Sequence, residues 1–516
     1  MSTFFDPSGK PYIVHQLSAI DIMENPPEEK GKRTGAILFI LASMAMIVMF
    51  VEIMIVPALP TMAQDFPAQV DWLPWVLSIY LLVGAVATPL VGKLGDIHGK
   101  KKVLIAVMVI YVVALLGSGF SLEISDALLG EHNIFVLLFF RGLQGVGMGM
   151  FTLAFGIVRD TFPKDKIPVA IGMISAMFSV GVSIGLVGGG YITSVARWTD
   201  AFHVIVPFFM VLTVAAAYLI HDPRYVRKGS LDIPGAVTLG IGIVALLLAL
   251  TEGERWGWDS GAILALFAAS LVAFIVFVLI EMRSKDPIVR PSLLANRGIL
   301  GGNIVALFVG LTMFMVYQTL PFFLETPITA GGYFGLTDTF TVGLYMLPSA
   351  IAQLFFGPYG GKLSKKIGPS NVLAIGMAIT TAGFISLVFL NSDFWQLTIS
   401  MVIFGSGVAL CMVSMINVVV EAAPQSEFGV ASGMNTLFRI VGGSIGPVLA
   451  AVILAANSFQ YQVAPGVIVE LYKVEGFIQA WWVGFVLALI GLVVAIVLRP
   501  KREASDVVDA VTPSEN

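Results

Sequence analysis

From Gly35 onward the chain alternates between apolar runs and short breaks rich in charge, proline and glycine. The runs are about 20 residues long; at about 1.5 Å of rise per residue a helix of that length covers a hydrocarbon layer of roughly 30 Å. Backbone groups in lipid must be satisfied within the segment, and barrel strands would be half as long and alternating, so the runs predict helices. Fourteen spans result, beginning near Gly35, Trp72, Val103, Ile134, Ile167, His203, Ile233, Gly261, Gly298, Asp338, Pro369, Phe394, Phe428 and Gly476. The break from Val91 to Leu104, VGKLGDIHGKKKVL, places four lysines and one aspartate between two of them. Such a stretch cannot lie in hydrocarbon, so it predicts a helical hairpin with a solvated turn of about ten residues.

Composition changes the picture from "helical" to "embedded in lipid". With 57% hydrophobic and only 12% charged residues, and a mean hydropathy of +0.91, a water-facing surface could not be built. The 53 glycines suit helices packed closely in lipid. One cysteine, Cys411, excludes an intrachain disulfide framework and any cysteine metal cluster. The five histidines lie in or beside predicted loops, so no metal site is expected.

Charge sets the orientation. If the amino terminus is cytoplasmic, 24 of the 29 lysines and arginines fall in tails and loops on that side, three on the other (Arg197, Arg255, Lys473) and two within spans (Arg141, Arg439). The positive-inside rule then predicts both termini in the cytoplasm. The first 33 residues are polar, without the pattern of a cleavable signal.

The chain also repeats. Gly172-Met173 followed by Val180-Gly181-Val182-Ser183-Ile184-Gly185 recurs as Gly433-Met434 followed by Val441-Gly442-Gly443-Ser444-Ile445-Gly446, offset by 261. The charged loop recurs too: Pro89, Gly92-Lys93-Leu94, Gly99 and Val103-Leu104 reappear as Pro358, Gly361-Lys362-Leu363, Gly368 and Val372-Leu373, offset by 269. Two six-helix halves in parallel repeat are expected, separated by two extra peripheral helices. The expected domains are a tail at 1–33, a bundle at 34–222, a linker with the extra helices at 223–284, a bundle at 285–499 and a tail at 500–516.

Few charges lie inside spans, and each should face water or a partner, since a charge at the bilayer centre costs on the order of 2.5 to 3.5 kcal/mol. Glu52 sits about eight residues inside the outer end of its predicted helix. There it can load and release protons or hold a cationic group; a structural ion pair or a wet vestibule is the plainer reading. In the fourth span Arg141, Gln144, Met148, Thr152 and Phe155 recur at three- and four-residue spacing on one face. An always-charged guanidinium there can act on a facing carboxylate or can cap carbonyls. In the thirteenth span Arg439 follows Asn435, and could bind an anion or cap the bundle. Asn303, Gln318, Gln353 and Asn417 are further cavity candidates, each equally able to make interhelical hydrogen bonds. Met49, Met148, Met313, Phe314 and Met415 could line an adaptable apolar cavity.

These residues resemble the major facilitator superfamily, in particular its fourteen-helix drug:proton antiporter branch, over nearly all of Gly35 to Arg499. Gly92-Lys93-Leu94-Gly95-Asp96 with Gly99-Lys100-Lys101 is similar to the family's loop motif between helices 2 and 3, and Arg141-Gly142-Leu143-Gln144-Gly145 to its helix 4 motif. Gly172, Gly181, Gly185, Gly189 and Gly190 fall where the helix 5 antiporter motif has glycines, although Leu186 stands where it has proline. Ala58-Leu59-Pro60 matches the branch's helix 1 ending, but its upstream aspartate is missing and Glu52 occupies a neighbouring position. The resemblance implies an all-α integral membrane protein of the major facilitator fold, and gating by the loop around Asp96 and its lysines. It further implies coupling through Arg141, for which Glu52, singled out above by its place inside a span, is the candidate proton-carrying partner.

The sequence therefore predicts a multi-pass plasma (inner) membrane transporter that expels amphipathic or cationic compounds by alternating access. It would be driven by the proton gradient without a cofactor, act as a monomer and have no nucleic-acid partner. The competing readings are the same fold carrying a metabolite, peptide, siderophore or lipid, and a receptor or intramembrane enzyme, for which no nucleophile and base pair is visible.

Overall fold

The computed structural model describes residues 31–499 except 60–61, 63–64, 67–71, 74, 221–231, 285–286, 289–292, 294, 338, 425–426 and 465–466, together with residues 4–5 and 11–12. The flexible tails expected at 1–33 and 500–516 thus lie almost wholly outside the described residues. Phe4–Phe5 (β1) and Pro11–Tyr12 (β2) form a short antiparallel pair.

Among the described residues fourteen helices are long and apolar enough to cross a membrane. In the first half they are α1 (Gly31–Ile53), α2 (Trp75–His98), α3 (Lys100–Gly119), α4 (Ile134–Thr161), α5 (Ile167–Val195) and α6 (Trp198–Leu219). Helices α7 (Ile233–Trp256) and α8 (Gly261–Glu281) follow. The second half holds α9 (Arg297–Glu325), α10 (Thr339–Ile367), α11 (Pro369–Phe389), α12 (Phe394–Ala422), α13 (Phe428–Ala455) and α14 (Val474–Val497). Every start lies within a few residues of the sequence reading. The largest shift is α6, which begins at Trp198 rather than His203 because Asp200 caps the backbone N–H of Arg197. Asp338 lies outside the described residues.

The solvated ten-residue turn between α2 and α3 is not what forms. Helix continues from Trp75 through His98, and only Gly99 interrupts it before Lys100. With φ at 98° Gly99 adopts a backbone conformation that L side chains avoid, and Gly368, its counterpart in the repeat, does the same at 84°. The charges leave water because they find partners: Lys93, Asp96 and Lys100 are all buried. Lys101 and Lys102 stay half-buried and exposed, respectively.

A second departure is β-structure in an otherwise helical chain. Ser458–Ala464 (β3) and Val467–Tyr472 (β4) pair antiparallel between α13 and α14, on the face opposite Gly99. Tyr461 Oη meets Thr329 Oγ1 at 2.6 Å, and the Tyr472 ring stands 6.1 Å from Phe322, so the hairpin docks at the C-terminal end of α9. Its sequence signal was two β-branched and aromatic runs flanking Pro465-Gly466.

The repeat reappears as packing. In the first half α5 lies against α1 so closely that a Cβ at Gly181 or Gly185 would overlap the carbonyls of Met46 and Phe50. In the second half Gly442 and Gly446 of α13 meet the carbonyls of Leu307 and Leu311 on α9 in the same way. Met46 and Leu307, like Phe50 and Leu311, are 261 residues apart, the offset of the repeat itself. Helix α8 exposes Leu264, Leu271, Val272 and Ile275, as a lipid-facing helix does. Helix α7 packs on α2 in the first half and α13 in the second.

Candidate functional site

Two crossings hold the halves together on the face that carries Gly99. Gly92 of α2 meets Gly429 of α13, each lying where the other's Cβ would be. Gly172 of α5 meets Gly357 of α10 in the same reciprocal manner, and Gly361 abuts the carbonyl of Pro168. Glycines at all of these positions let backbone touch backbone, and the sequence repeat thus marks the places where one half meets the other.

Charges reinforce this closure. Lys100 Nζ bonds Asp160 Oδ2 at 2.6 Å and lies 3.7 Å from Asp96 Oδ1. Asp96 faces the backbone amides of Gly429 and Val430 across the seam. Arg159 Nη2 donates to the carbonyl of Ala423 at 2.7 Å, with its guanidinium 4.6 Å over the Phe428 ring. Lys93 Nζ donates to the carbonyl of Pro287 at 2.6 Å, tying α2 to the segment between α8 and α9. Arg159, which the sequence reading passed over as one more loop cation, is thus a direct strap between halves.

Above this closure a cavity of about 20 Å³ is lined by Met49, Glu52, Leu81, Met148, Phe314, Arg439, Ile440 and Gly443. That volume admits a water molecule and no drug-sized compound, so the centre is shut. Glu52 comes from the first half and Arg439 from the second, 5% and 3% exposed. They form no direct ion pair: Glu52 Oε2 and Arg439 Nη2 are buried with no hydrogen-bond partner, both at the edge of the same space. Arg439 also stacks its guanidinium 5.0 Å over Phe178 of α5, a residue of the opposite half.

Glu52 does not lie two turns inside its helix. Helix α1 stops at Ile53 and a 3-10 turn follows at Val56–Ala58. The stop leaves the Val51 carbonyl without its intrahelical donor. Arg141 fills that place, with Nη1 3.3 Å from Val51 O and 2.7 Å from Gln144 Oε1, and Nε 3.0 Å from Val76 O. Its guanidinium lies 4.9 Å over Tyr80. Gln144 in turn donates to Ala114 O and Ser118 Oγ. Arg141 thus ties α1, α2 and α4 together beside Glu52 rather than pairing with it. Arg141→Met should cost about 2 to 5 kcal/mol of stability by stranding these groups, seen as a lowered unfolding midpoint in detergent. A midpoint matching wild type would remove the capping role.

The other predicted cavity residues divide. Met148 and Arg439 line the space, as do Met49 and Phe314. Gln144 belongs to the Arg141 network. Asn435 donates to Gly302 O at 3.0 Å and Asn303 Oδ1 at 3.2 Å, holding α13 to α9. Gln353 donates to Tyr317 Oη and Ser349 Oγ, both at 3.2 Å. Asn417 is buried in α12 outside the cavity, as are Met313 and Met415 in their helices. Gln318 is exposed, one turn beyond Phe314 toward the C-terminal end of α9. Gly181, Gly185 and Gly189 of the helix 5 pattern seat α5 on α1, and the carbonyl of Gly190 accepts from Thr193 Oγ1. Among the described residues no cluster of three metal-ligating side chains occurs.

Twelve membrane helices in two repeated halves, with two more beside them and a small charged cavity at the seam, define a membrane transporter whose halves share one central site. The chain belongs to the Major Facilitator Superfamily, whose profile matches residues 41–447 and 303–514. It is 29% identical over 406 residues to the multidrug transporter protein MdtP of Bacillus subtilis, covering 78% of this chain and 72% of that protein. The tetracenomycin C resistance and export protein of Streptomyces glaucescens is 27% identical over 403 residues, 77% of this chain and 72% of its own. Among solved structures the human organic anion transporter MFSD10 (TETRAN) shares the fold, with a TM-score of 0.60 at 15% identity, covering 91% of this chain and all of the other.

Proposed function

We propose that the protein exports amphipathic, hydrophobic or cationic compounds in exchange for protons, by rocking its two halves about the central cavity. The observation that carries this reading is the placement of Glu52 and Arg439: one acid and one base, from opposite halves, face a single closed space without bonding each other. Moving the halves apart changes the distance between them, and with it the cost of an ionised Glu52. A carboxyl so placed takes up a proton when the arginine recedes and gives it up when it returns. The relatives named for multidrug transport and for resistance and export support the class of cargo.

By the positive-inside rule the Gly99 face and both termini lie in the cytoplasm of a plasma membrane, and the β3–β4 hairpin lies outside. The structure then represents a state closed toward the cytoplasm. One chain holds both halves and both charges, so a monomer suffices, with the proton gradient as its only energy source.

In proteoliposomes with an acid lumen the protein should accumulate a lipophilic cation dye against its gradient, and nigericin should release it. Accumulation that is indifferent to nigericin would end the proton-coupled reading.

A further inference from the structure

The cavity treats its two charges unequally. Glu52 sits at the end of α1, with Arg439, Arg141, Tyr80 and Tyr111 as the charged and titratable groups around it from α13, α4, α2 and α3. Arg439 has one acid facing it, Glu52, and it reaches that acid only across the cavity. The Nη2 of both arginines is buried without a partner, but the rest of the Arg141 guanidinium is held by three acceptors from three helices, whereas Arg439 is held only by its stacking on Phe178. A guanidinium is always charged and carries five N–H donors in a planar fork that fits a carboxylate or similar oxyanion in two parallel bonds. Leaving such a group bare in a water-poor space is costly unless something else comes to fill it.

The surroundings describe that occupant. One face of the fork is covered by the Phe178 ring, which fixes its plane and leaves its edge for a ligand. The rest of the lining, Met49, Leu81, Met148, Phe314 and Ile440, is apolar and flexible, suited to a hydrophobic body of variable shape.

We propose that Arg439, seated on Phe178, is an anion subsite of the transport cavity, which takes the carboxylate, phenolate or sulfonate group of an amphipathic compound whose apolar body lies among the methionines and Phe314. This deepens the export reading and rests on it: acidic amphiphiles join the cargo, and the acidic group enters the space that separates Glu52 from Arg439. When Glu52 is ionised it repels such a group, and when it is protonated it becomes a second hydrogen-bond donor to it. Proton loading and binding of an acidic substrate therefore favour one another, and a cationic substrate has no use for Arg439.

The test uses two dyes with one xanthene body, anionic fluorescein and cationic rhodamine 6G, bound to the purified full-length protein and transported in proteoliposomes. Wild type should bind and move both. In equilibrium binding Arg439→Gln should weaken fluorescein at least tenfold without weakening rhodamine 6G, and Arg439→Lys, which keeps the charge without the fork, should fall between; transport is compared only in wild type and Phe178→Leu, because Arg439 also takes part in proton coupling. Phe178→Leu should weaken fluorescein several-fold with the same selectivity, and decides the matter if Arg439→Gln does not fold. Wild type that ignores fluorescein, or variants that lose both dyes alike, would overturn the subsite. Neither of these results touches proton coupling, which stands or falls on whether wild-type rhodamine 6G transport follows the pH gradient.

Discussion

Replacing Glu52 by glutamine should reduce gradient-driven transport at least tenfold, about 1.4 kcal/mol or more of lost coupling, while leaving the fold intact. Glutamine keeps the length, the shape and the hydrogen-bonding capacity of the side chain, and removes only its ability to exist in two charge states. Among the described residues Glu52 is the carboxylate that faces the cavity, so no second acid there can take over. Substrate exchange down its own gradient, which needs the halves to rock but no proton to cross, should persist in Glu52→Gln. Flux in proteoliposomes with and without a pH gradient separates the two activities. Gradient-driven transport at the wild-type level in the variant would place proton coupling elsewhere in the molecule.

The second large effect concerns the closure itself. Gly92→Leu should force the Gly99 face open, because the atom that would meet the new Cβ is the carbonyl oxygen of Gly429, a backbone atom of α13. Rotamers cannot relieve such a clash; only separation of α2 from α13 can. Overpacking costs typically 1 to 3 kcal/mol, about the size of a shift between two transporter states. The chain's lone cysteine, Cys411, is fully buried and is readily replaced by alanine in the reporter background. In that background a cysteine placed at Thr152, buried beside Gly92, should react with a maleimide at least tenfold faster when Gly92→Leu is present. Gly172→Leu, at the crossing of α5 and α10, should act alike. Unchanged labelling in folded protein with either substitution would show that these contacts do not set the conformational balance.

Both effects turn on features that differ in how far the chain announced them. The fourteen spans, their order and the lateral bias of charge were legible because the hydrophobic requirement of a bilayer acts on every residue of a span, so length and composition record it directly. The repeat was legible for a similar reason: two halves folded alike need glycine at the same helix crossings, and Gly172 and Gly433, or Gly92 and Gly361, satisfy that need locally. What those glycines touch was not written anywhere near them. Gly92 does not pack on its own repeat mate but on Gly429, and the pairing appears only when the halves are set face to face.

The sequence also singled out Glu52, Arg141 and Arg439, because a charge inside an apolar run stands out at once. It suggested that Glu52 works with Arg141. The structure instead gives Arg141 to the freed carbonyl of Val51 and sets Glu52 opposite Arg439. That exchange depends on where α1 ends. Pro57, which lacks an N–H and crowds the carbonyl of Ile53, marks a break ahead of it, but the sequence reading carried the helix past that break, and what fills the freed carbonyls appears only in the packed bundle. The buried state of Lys93, Asp96 and Lys100 belongs to the same category: their charges predict a solvated turn until Asp160, Pro287 and the Gly429 amide are brought within reach. The chain alone therefore determined what must lie in the membrane, how its charge is divided between the two sets of loops and which residues carry charge into it. The tertiary structure decided which charge answers which, because that depends on distances between helices that are far apart along the chain, and hydrophobic periodicity carries no record of them.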